Sequence, residues 1–294
     1  VFGVRSAMPS RTAGKLCPHG IFVKPRMHRY EEVSNQVMAI LETFPPDIEP
    51  VSVDEAFIDL SGILHFWESP AALGRALKTA IHTKLELTAS VGIARNKFLA
   101  KVASDFHKPD GLTLVPDDPE AIRAFLAPLP VGRLWGVGRV TEAQLLRVGL
   151  KTIGDVQRFD AAFLEPILGR ALTEHIKALA AGCDERDLAP AREEKSVSNE
   201  TTFDVDCIDH TVWRQTLIEL AEEVGARLRA GGWQARTAQI KVRYADFKTL
   251  TRQMTLPEPI DSDRAILRCA LELFERVNPQ QPIRLLGVGV AHLV

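Results

Sequence analysis

The chain has 294 residues, of which 46% are hydrophobic and 25% are charged, and its formal net charge is −2. This is globular composition, at a length typical of about two to four domains. The sequence has no apolar run long enough for a membrane span and no signal peptide at Val1, and its four cysteines lack zinc-site spacing. These observations predict a reduced, cytoplasmic protein without a membrane segment.

The charge is unevenly distributed along the chain. Residues 1–30 hold six basic residues and no acidic one, residues 31–74 hold nine acidic residues and no Lys or Arg, and residues 227–252 hold seven basic residues against one aspartate. Basic segments on either side of an acidic one are typical of a DNA cleft around a metal site. Chance clustering of solvated charge is the alternative.

The first 115 residues mix helix and strand patterns, which predicts an α+β domain. Helices are predicted at 30–44, after Pro70 and at 97–105, and short strands at 51–53, 57–60 and 88–93. The sequence Pro45-Pro46-Asp47 is predicted to end the first helix. From Asp117 to about Ala181 short helices follow one another, beginning with Asp118 as an N-cap, and residues 182–195 are polar and without pattern, as in a linker.

The last hundred residues predict a βαββαβ domain, the order of a split-βαβ fold. Strands are expected at 197–203, 237–244, 249–256 and 284–293, and the two intervening helices each present an apolar face. Thr237, Gln239, Lys241 and Arg243 alternate with apolar residues along the second strand. This polar face carries donors and no acid, which favours a run of phosphates over a merely solvated surface.

Two adjacent carboxylates, Asp54 and Glu55, interrupt the strand pattern in the stretch EPVSVDEAFIDLSG. Two short strands meeting at a tight bend would explain the interruption, and a bend allows both side chains to point the same way. Two carboxylates without a nearby Lys or Arg in sequence suit a hard cation such as Mg²⁺. A solvated turn is the alternative.

A second motif, LWGVGRVT at residues 134–141, reads as a helix, a Gly-x-Gly hairpin and a second helix. Gly136 and Gly138 let the backbone approach a phosphate closely, and the new helix presents free N–H groups to it. Arg139 is among the basic residues around this loop. Such a helix-hairpin-helix binds the DNA backbone without reading sequence, whereas a plain helix–helix turn is the alternative.

Taken together, these motifs resemble those of the Y-family DNA polymerases, over nearly the whole chain. The matching stretches are FGVRSAMPS at 2–10, SVDEAFIDL at 52–60, NKFLAKVASD at 96–105, KPDG at 108–111 and the hairpin at 134–141. The resemblance implies partial fingers, a palm, an all-helical thumb with the helix-hairpin-helix, a linker and a little finger. The corresponding ranges are 1–25, 26–115, 116–184, 185–195 and 196–294.

The resemblance also implies roles for individual residues. Asp54 and Glu55 would be metal-binding catalytic carboxylates, in a site that holds two Mg²⁺ ions. Ser52 and Lys108 would contact the nucleotide, and Ala7 would lie in the stretch above the templating base. The implied partners are primer–template DNA, dNTPs and, for the intact protein, a sliding clamp, and the protein is expected to be a monomer.

The chain departs from the family pattern at both ends. The family's first strand, with its metal-binding aspartate, and its clamp-binding tail have no counterpart between Val1 and Val294. The resemblance therefore predicts that this chain binds primer–template DNA but extends it very poorly, unless Asp59 or Glu49 replaces the aspartate. Two other functions stay open: a non-catalytic DNA-binding or scaffold protein that keeps the fold, and a repair factor that uses only the helix-hairpin-helix.

Overall fold

A computed structural model describes residues 1–44, 47–189 and 194–294. The chain divides into two compact units, Val1–Ala191 and Arg192–Val294. Two parts of the predictions lie outside the described residues, namely Pro45 and Pro46 of the predicted helix end and residues 190–193 of the predicted linker. No helix in the described ranges combines the length and apolarity that a membrane crossing needs.

The N-terminal unit begins with α+β structure, as predicted. Its helices are α1 (Ser10–Leu16), α2 (Met27–Leu41), α3 (Pro70–Leu85) and α4 (Lys97–Ser104), and its strands are β1 (Ile48–Pro50), β2 (Ala56–Ile58), β3 (Val91–Ile93) and β4 (Leu112–Leu114). The sequence patterns predicted α2, α3 and α4 but missed α1 and β4, since both are short and α1 buries only Ala13.

Helix α3 illustrates how local sequence sets an element. Ser69 accepts a hydrogen bond from the Ala72 N–H at 3.2 Å, and Pro70 occupies the first helical position, where its missing N–H is not needed. Leu73 and Leu77, one turn apart, are buried on the same side. This face joins α2 and β1 in a small apolar core.

The strands of this region form two separate pairs. Strands β1 and β2 are antiparallel, whereas β3 and β4 are parallel. Helix α4 lies directly against β3 at Gly92, where a Cβ atom would stand 2.1 Å from the Ala100 carbonyl oxygen and 2.4 Å from the Ser104 nitrogen. Only glycine permits this approach, which fixes α4 beside the strand pairs.

In the described residues from 116 to 189, five further helices follow one another and no strand is present, as the sequence predicted. They are α5 (Pro119–Leu126), α6 (Arg139–Arg147), α7 (Ile153–Arg158), α8 (Ala161–Leu168) and α9 (Arg170–Ala180). Asp118 caps α5 by accepting the Ala121 N–H at 2.8 Å, as predicted. Leu126, Leu145 and Ile176 from this region share one core with Phe98 of α4, so the helices pack on the α+β region through a continuous apolar interior.

The C-terminal unit has the predicted βαββαβ order. It comprises β5 (Ser196–Cys207), α10 (His210–Ala230), β6 (Ala235–Tyr244), β7 (Thr249–Ile260), α11 (Asp263–Val277) and β8 (Ile283–Leu293). Its four strands form one antiparallel sheet in the order β5-β8-β6-β7, so a strand of the other half splits each βαβ unit. The predicted apolar faces of α10 and α11 are buried in its core.

Candidate active site and nucleic-acid interface

The two adjacent carboxylates lie on a hairpin bend between β1 and β2. The strands pair from Ile48 with Ile58 to Pro50 with Ala56, and the Val51 N–H donates to the Glu55 carbonyl at 2.8 Å. Residues 51–55, the carboxylate bend, therefore form the loop. The predicted bend is confirmed, but Val51 and Val53 belong to the loop rather than to a strand, since β1 ends at Pro50 and β2 begins at Ala56.

Ser52 and Lys101 set the environment of the two carboxylates. The Ser52 hydroxyl donates to Asp54 Oδ1 at 2.6 Å and accepts the Asp54 N–H at 3.3 Å, which fixes the exposed Asp54 side chain. Glu55 is half-buried and forms an ion pair with Lys101 of α4. The Asp54 carboxylate therefore faces solvent, and the neighbouring charge of Glu55 is balanced by a cation.

Lys108 belongs to a second group of charges beside this bend. Its Nζ lies 2.7 Å from Asp105 Oδ1, and Arg133 Nη1 lies 2.8 Å from the other Asp105 oxygen. The hydrogen bond to Asp105 raises the pKa of Lys108 against the effect of burial, and the charges of Glu55 and Asp54 raise it further. Lys108 is therefore held in its charged form within the electrostatic field of the carboxylate bend.

Asp105 connects these cations. Burial acts to raise the pKa of its carboxyl group, but the hydrogen bond and charge of Lys108 and the charges of Lys101 and Arg133 outweigh burial and lower it. Sequence reasoning assigned Asp105 and Lys101 no role. Their spacing of four residues, which places both on one side of α4, was the available signal.

The carboxylate bend fits the oxygen ligands that a Mg²⁺ ion takes from proteins, since two adjacent carboxylates share an accessible loop. In the described ranges, no group of three His, Cys, Asp or Glu side chains gathers closely enough to hold a metal ion, so the bend offers two carboxylates and leaves further positions to water or substrate phosphate. The two candidate replacements for a further ligand are engaged elsewhere. Glu49 is buried and accepts from Lys97 at 2.8 Å, and Asp59 accepts the Ser61 N–H at 2.8 Å, a bond that lowers the pKa of Asp59.

The glycine hairpin, residues 134–138, leads directly into α6. Gly136 has a φ of +89°, which favours glycine, and Gly138 is the N-cap of α6 without a side-chain cap. No other group lies within 4 Å of the position that a Gly138 Cβ would occupy, so a ligand can reach this backbone. The predicted helix before the hairpin is a single 3-10 turn, Val131–Arg133.

The polar face of the C-terminal sheet differs from the prediction in two respects. Glu200 of β5 and Lys241 of β6 both pair with Gly287 of β8 and form an ion pair at 2.7 Å across it, so the face does contain an acid. Thr237 is only 2% exposed, and its hydroxyl is hydrogen-bonded to His292 Nδ1 at 2.8 Å. Sequence could not reveal either contact, since each depends on which strands are neighbours.

The remaining polar residues of this face lie in register. Gln239 and Arg243 of β6 pair with Gln253 and Thr249 of β7, and Arg243 Nε donates to the Thr249 hydroxyl at 2.9 Å. The central strand β8 contributes glycines, of which Gly289 faces Gln239. The polar face therefore has a row of small residues that is bordered by amides, hydroxyls and cations.

The structure gives the positions of the other predicted site residues, Ala7 and Arg139, but shows no contact within the described residues that bears on their roles. Ala7 lies in an exposed segment before α1 with a φ of +59°, and Arg139 is exposed in the first turn of α6. Their proposed contacts with the templating base and with DNA stay predictions.

Family models match most of the chain. The impB/mucB/samB family matches residues 1–105, the IMS family HHH motif matches 119–150, and the impB/mucB/samB family C-terminal domain matches 194–294. The DNA polymerase IV of Desulfatibacillum aliphaticivorans is 41% identical over 99% of this chain and 73% of its own length.

Solved structures agree with these matches. A Y-family DNA polymerase chimera of Dbh and Dpo4 aligns with 100% of this chain and 84% of its own at a TM-score of 0.86 and 25% identity. An insertion ternary complex of Dbh DNA polymerase aligns with the same shares at a TM-score of 0.66 and 25% identity. The chain therefore belongs to the Y-family of DNA polymerases, the impB/mucB/samB family, whose activity is DNA-directed DNA synthesis.

Proposed function

We propose that this protein adds deoxynucleotides to a primer 3′ end on a DNA template, by two-metal nucleotidyl transfer of the translesion type. The observation that carries the proposal is the carboxylate bend, which presents Asp54 and Glu55 side by side next to Lys108. Family membership supplies the substrate class, dNTPs and primer–template DNA.

Asp54 and Glu55 would hold Mg²⁺ at the bend. When bound, Mg²⁺ neutralises phosphate charge and lowers the pKa of a coordinated hydroxyl group. Ser52 fixes the Asp54 carboxylate for this purpose through its 2.6 Å hydrogen bond. Lys101 offsets the charge of Glu55 and lies on α4, which is anchored against β3.

Lys108 would donate to the triphosphate of the incoming nucleotide. A lysine that is charged and oriented before the nucleotide arrives loses less freedom on binding, so the bond to Asp105 prepares it for the task. The charges of Glu55 and Asp54 act on Lys108, which supports a triphosphate site that lies between this lysine and a metal ion held by the two carboxylates.

Two surfaces would bind the DNA backbone. The open amides at Gly138 and the start of α6 suit a phosphate, because helix N-termini carry free N–H donors. The polar face of the C-terminal sheet, with Lys241 and Arg243, suits a second run of phosphates. Binding of this kind is independent of DNA sequence.

A non-catalytic DNA-binding function is the second candidate, because only two carboxylates gather at the bend in the described part of the chain. Primer extension by the intact protein with Mg²⁺ separates the two candidates. Glu55→Gln is expected to lower the extension rate roughly 100-fold or more, while Glu174→Gln, which alters an exposed surface pair, leaves it unchanged. Absence of extension by the unsubstituted protein would favour the non-catalytic function, whereas equal extension by both variants would show that Glu55 is not a catalytic residue.

A further inference from the structure

The segment that follows α9 is attached to the α+β region of the same unit. This segment, Gly182–Ala189, is called the strap. The Gly182 carbonyl accepts from Asn96 at 2.8 Å, and the Asp187 carbonyl accepts from Lys97 at 2.8 Å. The Ala189 N–H donates to Glu49 at 2.9 Å. Half of the predicted linker thus has fixed contacts, although its sequence has no helix or strand pattern.

Asp184 and Arg186 form the centre of the strap. The Asp184 side chain is 3% exposed and accepts the Phe98 N–H at 3.0 Å, in the first turn of α4. Arg186 binds both Asp184 oxygens, with Nε at 2.7 Å and Nη2 at 2.8 Å. Burial acts to raise the pKa of Asp184, but the Arg186 contacts outweigh it and lower that pKa.

The same guanidinium stacks on the glycine hairpin. The Arg186 Cζ atom lies 4.2 Å from the ring centroid of Trp135, the residue immediately before Gly136. The planar fork of arginine can pair with a carboxylate and cover an aromatic face at once, which the ammonium group of lysine cannot. Arg186 therefore joins the strap to the hairpin with both of its binding modes.

Trp135 in turn contacts the element that carries the carboxylate bend. Its ring meets Phe57 of β2 edge-on at 6.1 Å and Phe98 of α4 at 6.2 Å. Its carbonyl pairs with His175 Nε2 of α9 at 3.1 Å. Because Phe57 is only two residues beyond Glu55, the indole ring of Trp135 connects the glycine hairpin to the strand that follows the carboxylate bend.

We propose that Arg186 is a positioning residue that holds the glycine hairpin at a fixed distance from the carboxylate bend by pressing Trp135 onto Phe57. A DNA strand bound by the hairpin amides would then present its primer end in register with Asp54 and Glu55. The inference rests on the proposed function of these two hairpins. It adds a residue that contacts neither phosphate nor metal and acts through Trp135.

The first test follows amide hydrogen exchange at residues 134–141 in the chain without DNA, so it does not depend on activity. Arg186→Ala is expected to speed this exchange roughly twofold to thirtyfold, the range that loss of a cation–π contact spans. Arg186→Lys should resemble the alanine variant, because it loses the planar contact. Arg170→Ala removes an exposed arginine of the same unit and should change nothing. Unchanged exchange in Arg186→Ala would overturn the proposal.

The second test measures duplex DNA affinity as a function of salt. Arg186→Ala should weaken binding by the same factor while the log–log salt slope stays the same, since no phosphate contact is lost. A slope flatter by about 0.9 would show that Arg186 itself binds a phosphate and would overturn the positioning role.

Two further results keep the tests decisive. Trp135→Phe keeps a ring at this position, so if Arg186→Ala fails to fold, a milder increase in hairpin exchange in Trp135→Phe is the expected result. No increase in that variant would contradict the proposal. If wild-type protein did not bind DNA, the proposed function would fail, while the exchange result would still decide whether Arg186 holds the hairpin.

Discussion

The carboxylate bend and the polar face of the C-terminal sheet differ in how their charged groups are arranged. Each strand beside the bend has three residues, and the bend's neighbours Lys101 and Lys108 are both paired with carboxylates. The sheet has strands of 10 to 12 residues and presents amides, hydroxyls and few charges in regular rows. A site that positions phosphate chemistry needs prearranged charge, whereas a surface that follows a DNA backbone needs a repeating set of donors.

Among the basic residues of these two regions, the largest effect on function is expected at Lys108, which tests the prearranged charge beside the bend. Lys108→Ala should raise the KM for dNTP roughly 10-fold to 100-fold, because a charge-assisted hydrogen bond is lost, while DNA affinity stays the same. Steady-state single-nucleotide insertion and a DNA titration on the same variant measure the two quantities. Lys84→Ala, at the end of α3, is the control. A loss of DNA affinity without a change in KM would contradict the nucleotide role.

On the sheet the expected effect is smaller and spread over all sequences. The double variant Lys241→Ala with Arg243→Ala should flatten the log–log salt slope of DNA binding by up to about 1.8, if each side chain neutralises one phosphate. Affinity for duplexes of different sequence should fall in parallel, as measured by fluorescence anisotropy. A change in preference among sequences would mean that the face reads bases rather than the backbone.

The smallest expected effect on DNA binding is at Glu200. This residue pairs with Lys241 on the sheet face, as Glu55 pairs with Lys101 at the carboxylate bend. Glu200→Gln removes the acid that pairs with Lys241 and should strengthen DNA binding about 1.4-fold to fivefold, because an exposed ion pair contributes only about 0.2–1 kcal/mol. The same anisotropy titration measures the change. Weaker binding would show that Glu200 is needed to orient Lys241.

Acidification should lower the stability of the N-terminal unit modestly more than that of the C-terminal unit. The pKa values of Asp105 and Asp184 in the N-terminal unit are lowered by their basic partners against the effect of burial. A lowered folded pKa contributes stability above the unfolded pKa of about 3.9, and this stability is lost as the pH falls further. Urea unfolding at pH 5 and pH 3 should show a larger loss for the N-terminal unit, reduced in Asp184→Asn. An equal loss in both units would contradict this expectation.

Much of this protein was readable from sequence, because its signals are local. The N-cap at Asp118 and the apolar faces of α3, α10 and α11 depend on neighbours within a few residues of the chain. The bend at Asp54 and Glu55 was predicted for the same reason, since the alternation of a strand fails within one dipeptide.

The sequence by itself determined most of the helices and strands, the hairpin that carries two carboxylates and the family to which the chain belongs. Only the tertiary structure decided which charges meet: Glu55 with Lys101, Asp105 with Lys108 and Arg133, and Glu200 with Lys241 across Gly287. It also decided that a patternless segment holds Arg186 on Trp135. The physical reason is that secondary structure follows from spacing along the chain, whereas an ion pair or a stacked ring depends on which distant segments packing brings within a few ångströms.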